Sequence, residues 1–344
     1  MEIDGSYGEG GGQILRTAVA LAALTGTEVT IDNVRTRRGK PGLAAQHLTA
    51  VMGVASLCDG EVDGGFVGST AVTFRPGHII GGAYQLDVGT AGSITLVLQA
   101  CMLASLRAPM ATELEIRGGT NVRMSPPVDF YTNVLLPMLG KMGFDVELEI
   151  VSRGFYPQGG GTVRAVLSPC LLLAPLGLED RGRLEEVGGV AFTQNLPEHV
   201  GQRMANAARK AFLGQELKVR TDRTSGHSTG AGLALYARYQ NTCLGADAMG
   251  EKGVPAEQVG EDAVARLKDD MDGPGTLDVH AADQLLAYMA LAERPSRFIV
   301  AEVSSHMSTQ MWLLERFLPV KFAEHERDEG VLVEVFPNRT SREG

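Results

Sequence analysis

The sequence predicts an α/β fold, α+β in its strand order. Three copies of one βαβαββ unit form a large domain, and a smaller α/β domain is inserted. Three observations predict this. Helix and strand signals alternate along nearly the whole chain, an order in which helices cover sheets. The run helix, strand, helix, hairpin occurs three times, and repetition on that scale suggests units that stack on a shared core. Between the second and third copies the order breaks. The chain has 344 residues, 44% of them hydrophobic, enough for two domains and a sizeable core.

The first copy opens with an alanine- and leucine-rich helix from about Gln13 to Leu24, stopped by Gly26. Strand Glu28–Val34 alternates apolar residues at Val29 and Ile31. A helix from Leu43 to Leu57 comes next, then hairpin strands Glu61–Val67 and Ala71–Arg75. The second copy has strand Tyr84–Val88, a helix from Ser93 to Leu106 and strand Glu113–Arg117. A helix from Pro127 to Met142 leads to its hairpin, Asp145–Val151 with Thr162–Leu167. The third copy runs from strand Thr276–Val279 through a helix from Ala281 to Leu291, strand Arg297–Val303 and a helix from Met307 to Phe317. It closes with the hairpin Val320–Glu326 and Val331–Val335.

The interruption reads as strand Arg183–Thr193, helix His199–Phe212, three strands within residues 216–249, and helix Pro255–Lys268. We place the large domain at residues 1–177 and 276–344 and the inserted domain at 178–275.

Acidic residues outnumber basic ones, 41 against 31, for a net charge of −10. Such a chain is poorly suited to gripping a long duplex, although a local basic patch can still hold a nucleic-acid end. Cys58, Cys101, Cys170 and Cys243 are widely spaced, with no CxxC pair. That argues for free thiols in a reducing compartment rather than for zinc or disulfides. The acidic start Met1-Glu2-Ile3-Asp4 lacks a signal peptide's basic region. The longest apolar stretch, Ala18 to Leu24, is far short of the ~20 residues that span a bilayer. The expectation is a cytoplasmic protein with no membrane contact. Homo-oligomer formation stays open.

Two glycine triplets carry the chemistry. Gly8-Glu9-Gly10-Gly11-Gly12-Gln13 opens a helix, where unpaired N–H groups and the dipole favour phosphate. It is neither a Walker A loop nor a clean dinucleotide fingerprint. Glu9 is its informative member, because a carboxylate facing an anion is repelled unless a cation lies between them. Mg²⁺ or Mn²⁺ would suit, and a solvated glutamate stabilised by the helix dipole is the plain alternative. Arg16 lies one turn inside the helix. Arg35, Arg37, Arg38 and Lys40 crowd into six residues before Pro41-Gly42, a basic cluster that could fork phosphate oxygens or be a solvated loop. Gln46 and His47 form a polar face on the next helix. Gly89-Thr90-Ala91-Gly92-Ser93 offers another helix start, and Ser93 can serve simply as an N-cap. Gln99, within an apolar helix, needs a partner if buried. Pro126-Pro127 could initiate a helix or form an apolar wall.

The second triplet lies in Arg153-Gly154-Phe155-Tyr156-Pro157-Gln158-Gly159-Gly160-Gly161-Thr162-Val163. Glycine lets another group approach the main chain closely. With the first triplet, this segment resembles the RNA 3'-terminal phosphate cyclase family, whose signature is Arg/His-Gly-x-x-Pro-x-Gly-Gly-Gly-x-aliphatic. Every position is met. Arg35-x-x-Arg38-x-Lys40-Pro41-Gly42, Ala282-Asp283-Gln284-Leu285 and Glu315-Arg316-Phe317-Leu318-Pro319 also match it.

The resemblance covers nearly the whole chain and is weakest in the insertion. It implies three repeats of an α/β unit plus an inserted domain. It implies an ATP-dependent ligase that converts an RNA 3'-phosphate to a 2',3'-cyclic phosphate. The route runs through enzyme-(His)-AMP and RNA-(3')pp(5')A and releases pyrophosphate and AMP. His306, where a strand yields to a helix about ten residues before Glu315-Arg316, takes the place of the catalytic histidine. Glu9 would be the metal ligand for Mg²⁺ or Mn²⁺. Arg16, Arg35, Arg38, Lys40 and Gln46 would serve the RNA phosphate. Gln99, Pro127, His280, Asp283 and Gln284 would contact ATP. His280 departs from the tyrosine that many bacterial relatives place against adenine, although imidazole can also stack. Two other readings stay open: a non-catalytic cyclase-like factor of ribosomal RNA maturation, and a carboxyvinyl transferase like EPSP synthase. His306 and Glu9 argue against the first.

Overall fold

A computed structural model describes residues 1–338. Unit 1 comprises β1 (Glu2–Asp4), α1 (Gly12–Thr25), β2 (Val29–Asp32), α2 (Ala45–Cys58), β3 (Glu61–Asp63) and β4 (Val72–Arg75). Unit 2 comprises β5 (Gly82–Asp87), α3 (Ile94–Ala104), β6 (Thr112–Gly118), α4 (Val128–Phe130), a π-helical turn (Tyr131–Leu135), α5 (Leu136–Lys141), β7 (Val146–Ser152) and β8 (Gly161–Leu167). Strand β9 (Gly177–Leu178) then precedes the insertion: β10 (Leu184–Gln194), α6 (Glu198–Ala211), β11 (Leu217–Thr224), β12 (Gly230–Tyr239), β13 (Cys243–Met249) and α7 (Ala256–Asp272). Beyond it come α8 (Val279–Ala290), β14 (Ser296–Val300), α9 (Ser305–Phe317), β15 (Val320–Glu326) and β16 (Val331–Pro337).

The three unit sheets share one strand order: β1-β2-β4-β3, β5-β6-β8-β7 and β9-β14-β16-β15. In each, the first two strands run parallel and the remaining pairs antiparallel. The repeat is therefore structural as well as sequential, and the class is the mixed α/β one the sequence predicts.

Three details differ from expectation. Residues 276–279 form no strand. The parallel neighbour of β14 is β9, on the far side of the insertion, with Gly177 opposite Arg297 and Leu178 opposite Phe298. Asp278 instead caps α8, accepting from His280 N at 3.0 Å and Ala281 N at 2.9 Å. A capping carboxylate outcompetes the strand pattern there, and two residues are too few for a periodic signal. The helix expected from Pro127 to Met142 is broken by the π turn just before Pro137, which stands in the first turn of α5. Proline lacks an N–H and clashes with the carbonyl four residues back, and widening the turn relieves both. Strand β1, three residues long, carries no alternation a sequence reading could use.

One apolar core runs through all three units. It includes Leu15 and Leu21 of α1, Leu98 of α3, Leu285 of α8 and Leu313 of α9. Helix α1 packs on α2, α3 and α9, which brings the start of α1 beside the start of α9. The insertion has a core of its own, including Met204, Leu233, Leu244 and Leu267. All four cysteines are free and buried. Among the described residues, no helix is long and apolar enough to cross a membrane.

Arg153, first residue of the glycine-rich signature, joins the two cores. It is 1% exposed. Its Nη1 and Nη2 donate to Asp129 Oδ2 at 2.7 Å and Oδ1 at 2.9 Å, and Nη2 also donates to Asp222 Oδ2 on β11 at 2.7 Å. The guanidinium lies 4.6 Å from the ring centre of Phe192 on β10. Gly159, at φ +69, lies against Thr90–Ala91, where a Cβ would come within 2.9 Å of the Thr90 carbonyl. The groups that approach this glycine run are thus the chain's own, the Thr90–Ala91 backbone at Gly159 and the His227 side chain at Gly160.

Candidate active site

The loop before α1 is wedged between α9 and the basic loop after β2. Gly8, at φ +56, leaves no room for a Cβ against Thr309 of α9. Gly12 likewise leaves no room for a Cβ, which would run into the His47 ring. The loop therefore delivers Glu9 to the first turn of α9, which Ser304 caps by accepting from Met307 N at 2.9 Å.

Glu9 and His306 meet there. His306 Nε2 is 3.0 Å from Glu9 Oε2. Ser305 Oγ donates to Glu9 Oε1, and Arg38 Nη2 stands 3.5 Å from Oε2. The other ring nitrogen, Nδ1, is 2.7 Å from Gln13 Oε1. Gln13 spends its amide N–H groups on Gln310 Oε1 at 3.2 Å and the His306 carbonyl at 3.4 Å. Its oxygen therefore faces the ring and accepts from Nδ1–H, so that in the neutral imidazole the lone pair lies on Nε2. Burial lowers the His306 pKa; Glu9 opposes this, and Arg16 and Arg38 reinforce it. Sequence patterns did not single out Gln13 or Ser305, although each directly neighbours a motif residue.

The cations gather on one side. Arg16 is buried, and it donates to a neutral group, Gln99 Oε1, at 3.3 Å. Burial pulls its pKa down to about 10. No carboxylate among the described residues pairs with it. A buried cation without a counter-charge is costly, and an incoming anion would relieve that cost. Arg35 Nη1 donates to the Gly42 carbonyl at 2.7 Å and so pins the basic loop. Arg37 Nη1 donates to the Gly8 carbonyl at 3.1 Å. Lys40 is exposed. Gln46 Oε1 accepts from Ser93 N at 2.8 Å, tying α2 to the start of α3. His47 is held neutral, its pKa pushed down to about 3 by burial and then by Arg16 and Arg35.

The residues expected at the nucleotide fall into two places. Gln99, Gln284 and Arg16 line one small cavity whose walls are in part apolar, with Ala100, Leu103 and Ala287. Gln284 Oε1 accepts from the Tyr131 hydroxyl at 2.5 Å, which ties α8 to unit 2. Asp283 accepts from Ser304 Oγ at 2.9 Å, and burial raises its pKa to about 7. Nearer the surface, His280 is exposed and edge-on to Phe130, with ring centres 6.3 Å apart. Pro127 is buried three residues before Phe130.

Among the described residues, no cluster of three or more His, Cys, Asp or Glu side chains could hold a metal by itself. Glu9 offers one carboxylate. That donor set fits Mg²⁺ or Mn²⁺ only where substrate phosphates complete the coordination, which is how Mg²⁺ is commonly held.

A family model described as RNA 3'-terminal phosphate cyclase matches residues 7–323. The chain belongs to the RNA 3'-terminal phosphate cyclase family. It is similar to proteins named RNA 3'-terminal phosphate cyclase from Nitrosospira multiformis (46% identical, covering 93% of this chain and 92% of that one) and Methanopyrus kandleri (46%, 98% and 99%). The protein of that name from Archaeoglobus fulgidus is 42% identical over 92% of this chain and 95% of its own. A solved EPSP synthase from Acinetobacter baumannii aligns at 10% identity with a TM-score of 0.28, over 94% of this chain and 62% of that one. A likeness that weak says nothing about the chemistry of this chain. In this cyclase family member, then, the glycine loop, the basic loop and the start of α9 converge on Glu9 and His306.

Proposed function

We propose that this chain is an ATP-dependent RNA 3'-terminal phosphate cyclase acting in the cytoplasm. The observation that carries the reading is the His306 imidazole, oriented by Gln13 with Nε2 toward Glu9, beside a buried arginine with no counter-ion among the described residues. A phosphomonoester is a poor electrophile toward its neighbouring 2'-hydroxyl, because it would have to expel a poor leaving group. Making an anhydride with AMP supplies a good one.

His306 Nε2 attacks the α-phosphorus of ATP. A P–N bond forms, and pyrophosphate leaves with the electrons of the broken P–O bond. An oxygen of the RNA 3'-phosphate then attacks the same phosphorus and breaks P–N, which gives RNA-(3')pp(5')A and frees the imidazole. Finally the 2'-oxygen, losing its proton to solvent, attacks the 3'-phosphorus and expels AMP. Gln13 holds the Nδ1 proton throughout. Arg16 and Arg38, with Gln46 alongside, hold the terminal phosphate and offset its charge, since positioning and electrostatics dominate phosphoryl transfer. Asp283, Gln284 and Gln99 orient the nucleotide, with Pro127 and His280 beside the base. Glu9 would hold a Mg²⁺ or Mn²⁺ ion, which would supply charge neutralisation there, and with its carboxylate so engaged Glu9 would favour the protonated form of His306 less.

The test is incubation with α-labelled ATP and Mg²⁺ or Mn²⁺, then denaturing electrophoresis. The native protein should acquire an AMP label that is acid-labile and stable to mild alkali. His306→Asn should acquire none, yet should cyclise RNA already bearing the 3'-adenylyl anhydride. A label kept by His306→Asn, or mapped to a lysine by peptide mass spectrometry, would overturn the mechanism. A non-catalytic factor or a carboxyvinyl transferase would form no adduct at all.

A further inference from the structure

Outside the groups already described, one surface feature stands directly beside Glu9. Tyr7 and Trp312 are stacked, with ring centres 3.9 Å apart and planes 11° from parallel. The Arg316 guanidinium lies 4.7 Å from the centre of the same indole. One face of an indole cannot take both, so the order is Arg316, Trp312, Tyr7. The outer Tyr7 face is left to solvent, and Tyr7 is 42% exposed. An aromatic pair of this size is ordinarily buried in a core or an interface. Here it rides on the rim of the site. Tyr7 begins the turn that carries Glu9, its carbonyl accepting from Gly10 N at 3.0 Å. Trp312 is six residues beyond His306 on α9, about 9 Å along the helix axis. Ser305, Ser308, Trp312 and Arg316 share one face of α9, so the stack continues from the Glu9 contact.

Charge is arranged to match. Arg38 touches Glu9 in the site. Arg37, exposed, donates to the carbonyl of Gly8, the residue between Tyr7 and Glu9. Around residues 7–9 the surface thus gathers Arg38 on Glu9, Arg37 on Gly8, and the Tyr7 ring backed by Trp312 and Arg316. In a chain of net charge −10 such a run is not background. Alternating cations and aromatic faces are what single-stranded nucleic acid requires, since every base has a face to stack and each linkage a phosphate to pair.

We propose that Tyr7, backed by Trp312 and Arg316, is a stacking platform for the base next to the 3'-terminal nucleotide of a single-stranded RNA, with Arg37 taking the intervening phosphate. The inference rests on the proposed function for the location of the terminal phosphate. It assigns the site a preference for unpaired ends, because a paired penultimate base could not lie on the tyrosine ring.

Trp312 is the chain's one tryptophan, so its fluorescence reports on the platform alone. Titration with a 3'-phosphorylated single-stranded oligoribonucleotide should quench it. An oligonucleotide abasic at the penultimate position should bind the native protein about 5- to 100-fold more weakly. Tyr7→Leu should bring the two affinities together, and Tyr7→Phe should keep them apart. Equal affinity of the native protein for both oligonucleotides, or discrimination surviving in Tyr7→Leu, would overturn the platform. The stack could instead only hold the glycine loop on α9. In that case Tyr7→Leu would lose AMP labelling and RNA affinity together, for intact and abasic RNA alike, and the inference fails. Discrimination by a native protein that never forms an AMP adduct would leave the platform standing and bring down the mechanism.

Discussion

His306 Nε2 lies 3.0 Å from Glu9 Oε2, although the two residues stand near opposite ends of the chain. Helix packing makes the contact: α1 lies on α9, and the glycine loop before α1 is thin enough to pass under Thr309. The pair lets the carboxylate stabilise a proton on the imidazole, and in the proposed function it would have a second duty, offering an oxygen to a cation.

Both duties are testable in one variant. Burial lowers the His306 pKa and Glu9 partly restores it. In the proposed mechanism the neutral ring is the nucleophile, so adduct formation should rise with pH through that pKa and then level off. Glu9→Gln removes the charge that favours protonation. Its acidic limb should therefore move to lower pH, while the metal concentration for half-maximal labelling rises by at least the ~10-fold that losing an outer-shell partner costs. An unchanged limb and an unchanged metal titration would leave Glu9 as a helix-start residue.

Arg16 should show stability and binding moving in opposite directions. Its guanidinium is buried with no carboxylate partner among the described residues, so Arg16→Met should leave the melting temperature equal or higher. The same change should weaken capture of a 3'-phosphate by about 2 kcal/mol or more. Affinities of 3'-phosphorylated and 3'-hydroxyl oligonucleotides, measured without ATP, should become alike. A variant that melts earlier and still distinguishes the two ends would contradict this role.

Asp283 should make the folded protein less stable as pH rises. Its pKa is raised from 3.8 to about 7, chiefly by burial. Below about pH 4 the group is protonated whether the chain is folded or unfolded, and nothing is lost. Between about pH 4 and 7 the unfolded chain releases a proton that the folded chain retains, so stability falls through that window. The full cost, at most ~4 kcal/mol, is in place above it. Asp283→Asn, which can still accept from Ser304, should narrow the difference in melting temperature between roughly pH 5 and roughly pH 8. Asp278, raised to about 6, leaves a residual slope of the same sign. An unaltered difference would show that Asp283 is solvated in solution.

Arg153→Met should be the most damaging change far from Glu9. It strips a buried cation from Asp129 and from Asp222, and losing one partner of a buried pair costs ~3–5 kcal/mol. Asp222→Asn should cost much less, because that carboxyl is partly exposed. Urea midpoints of the two variants give the comparison, and equal midpoints would mean that the join between the cores contributes little.

The sequence alone determined the features that local chemistry dictates. Apolar periodicity marks the helices, because one buried stripe is a local pattern. The glycine loop and the basic cluster stand out, because glycine conformation and charge density are readable over six residues. Glu9 and His306 were legible one at a time, each beside a recognisable motif. Their relationship comes from helix packing, since nothing local encodes which helix start faces which. The same holds for β9, a strand of two residues that exists because β14 pairs with it. It holds for Gln13, whose amide acquires its task only when His306 arrives opposite. Arg153 shows the limit most sharply. Its motif is the clearest in the chain, yet its guanidinium joins the large domain to the insertion. The carboxylates of Asp129 in one and Asp222 in the other converge on it, and a buried charge must be met where it lies.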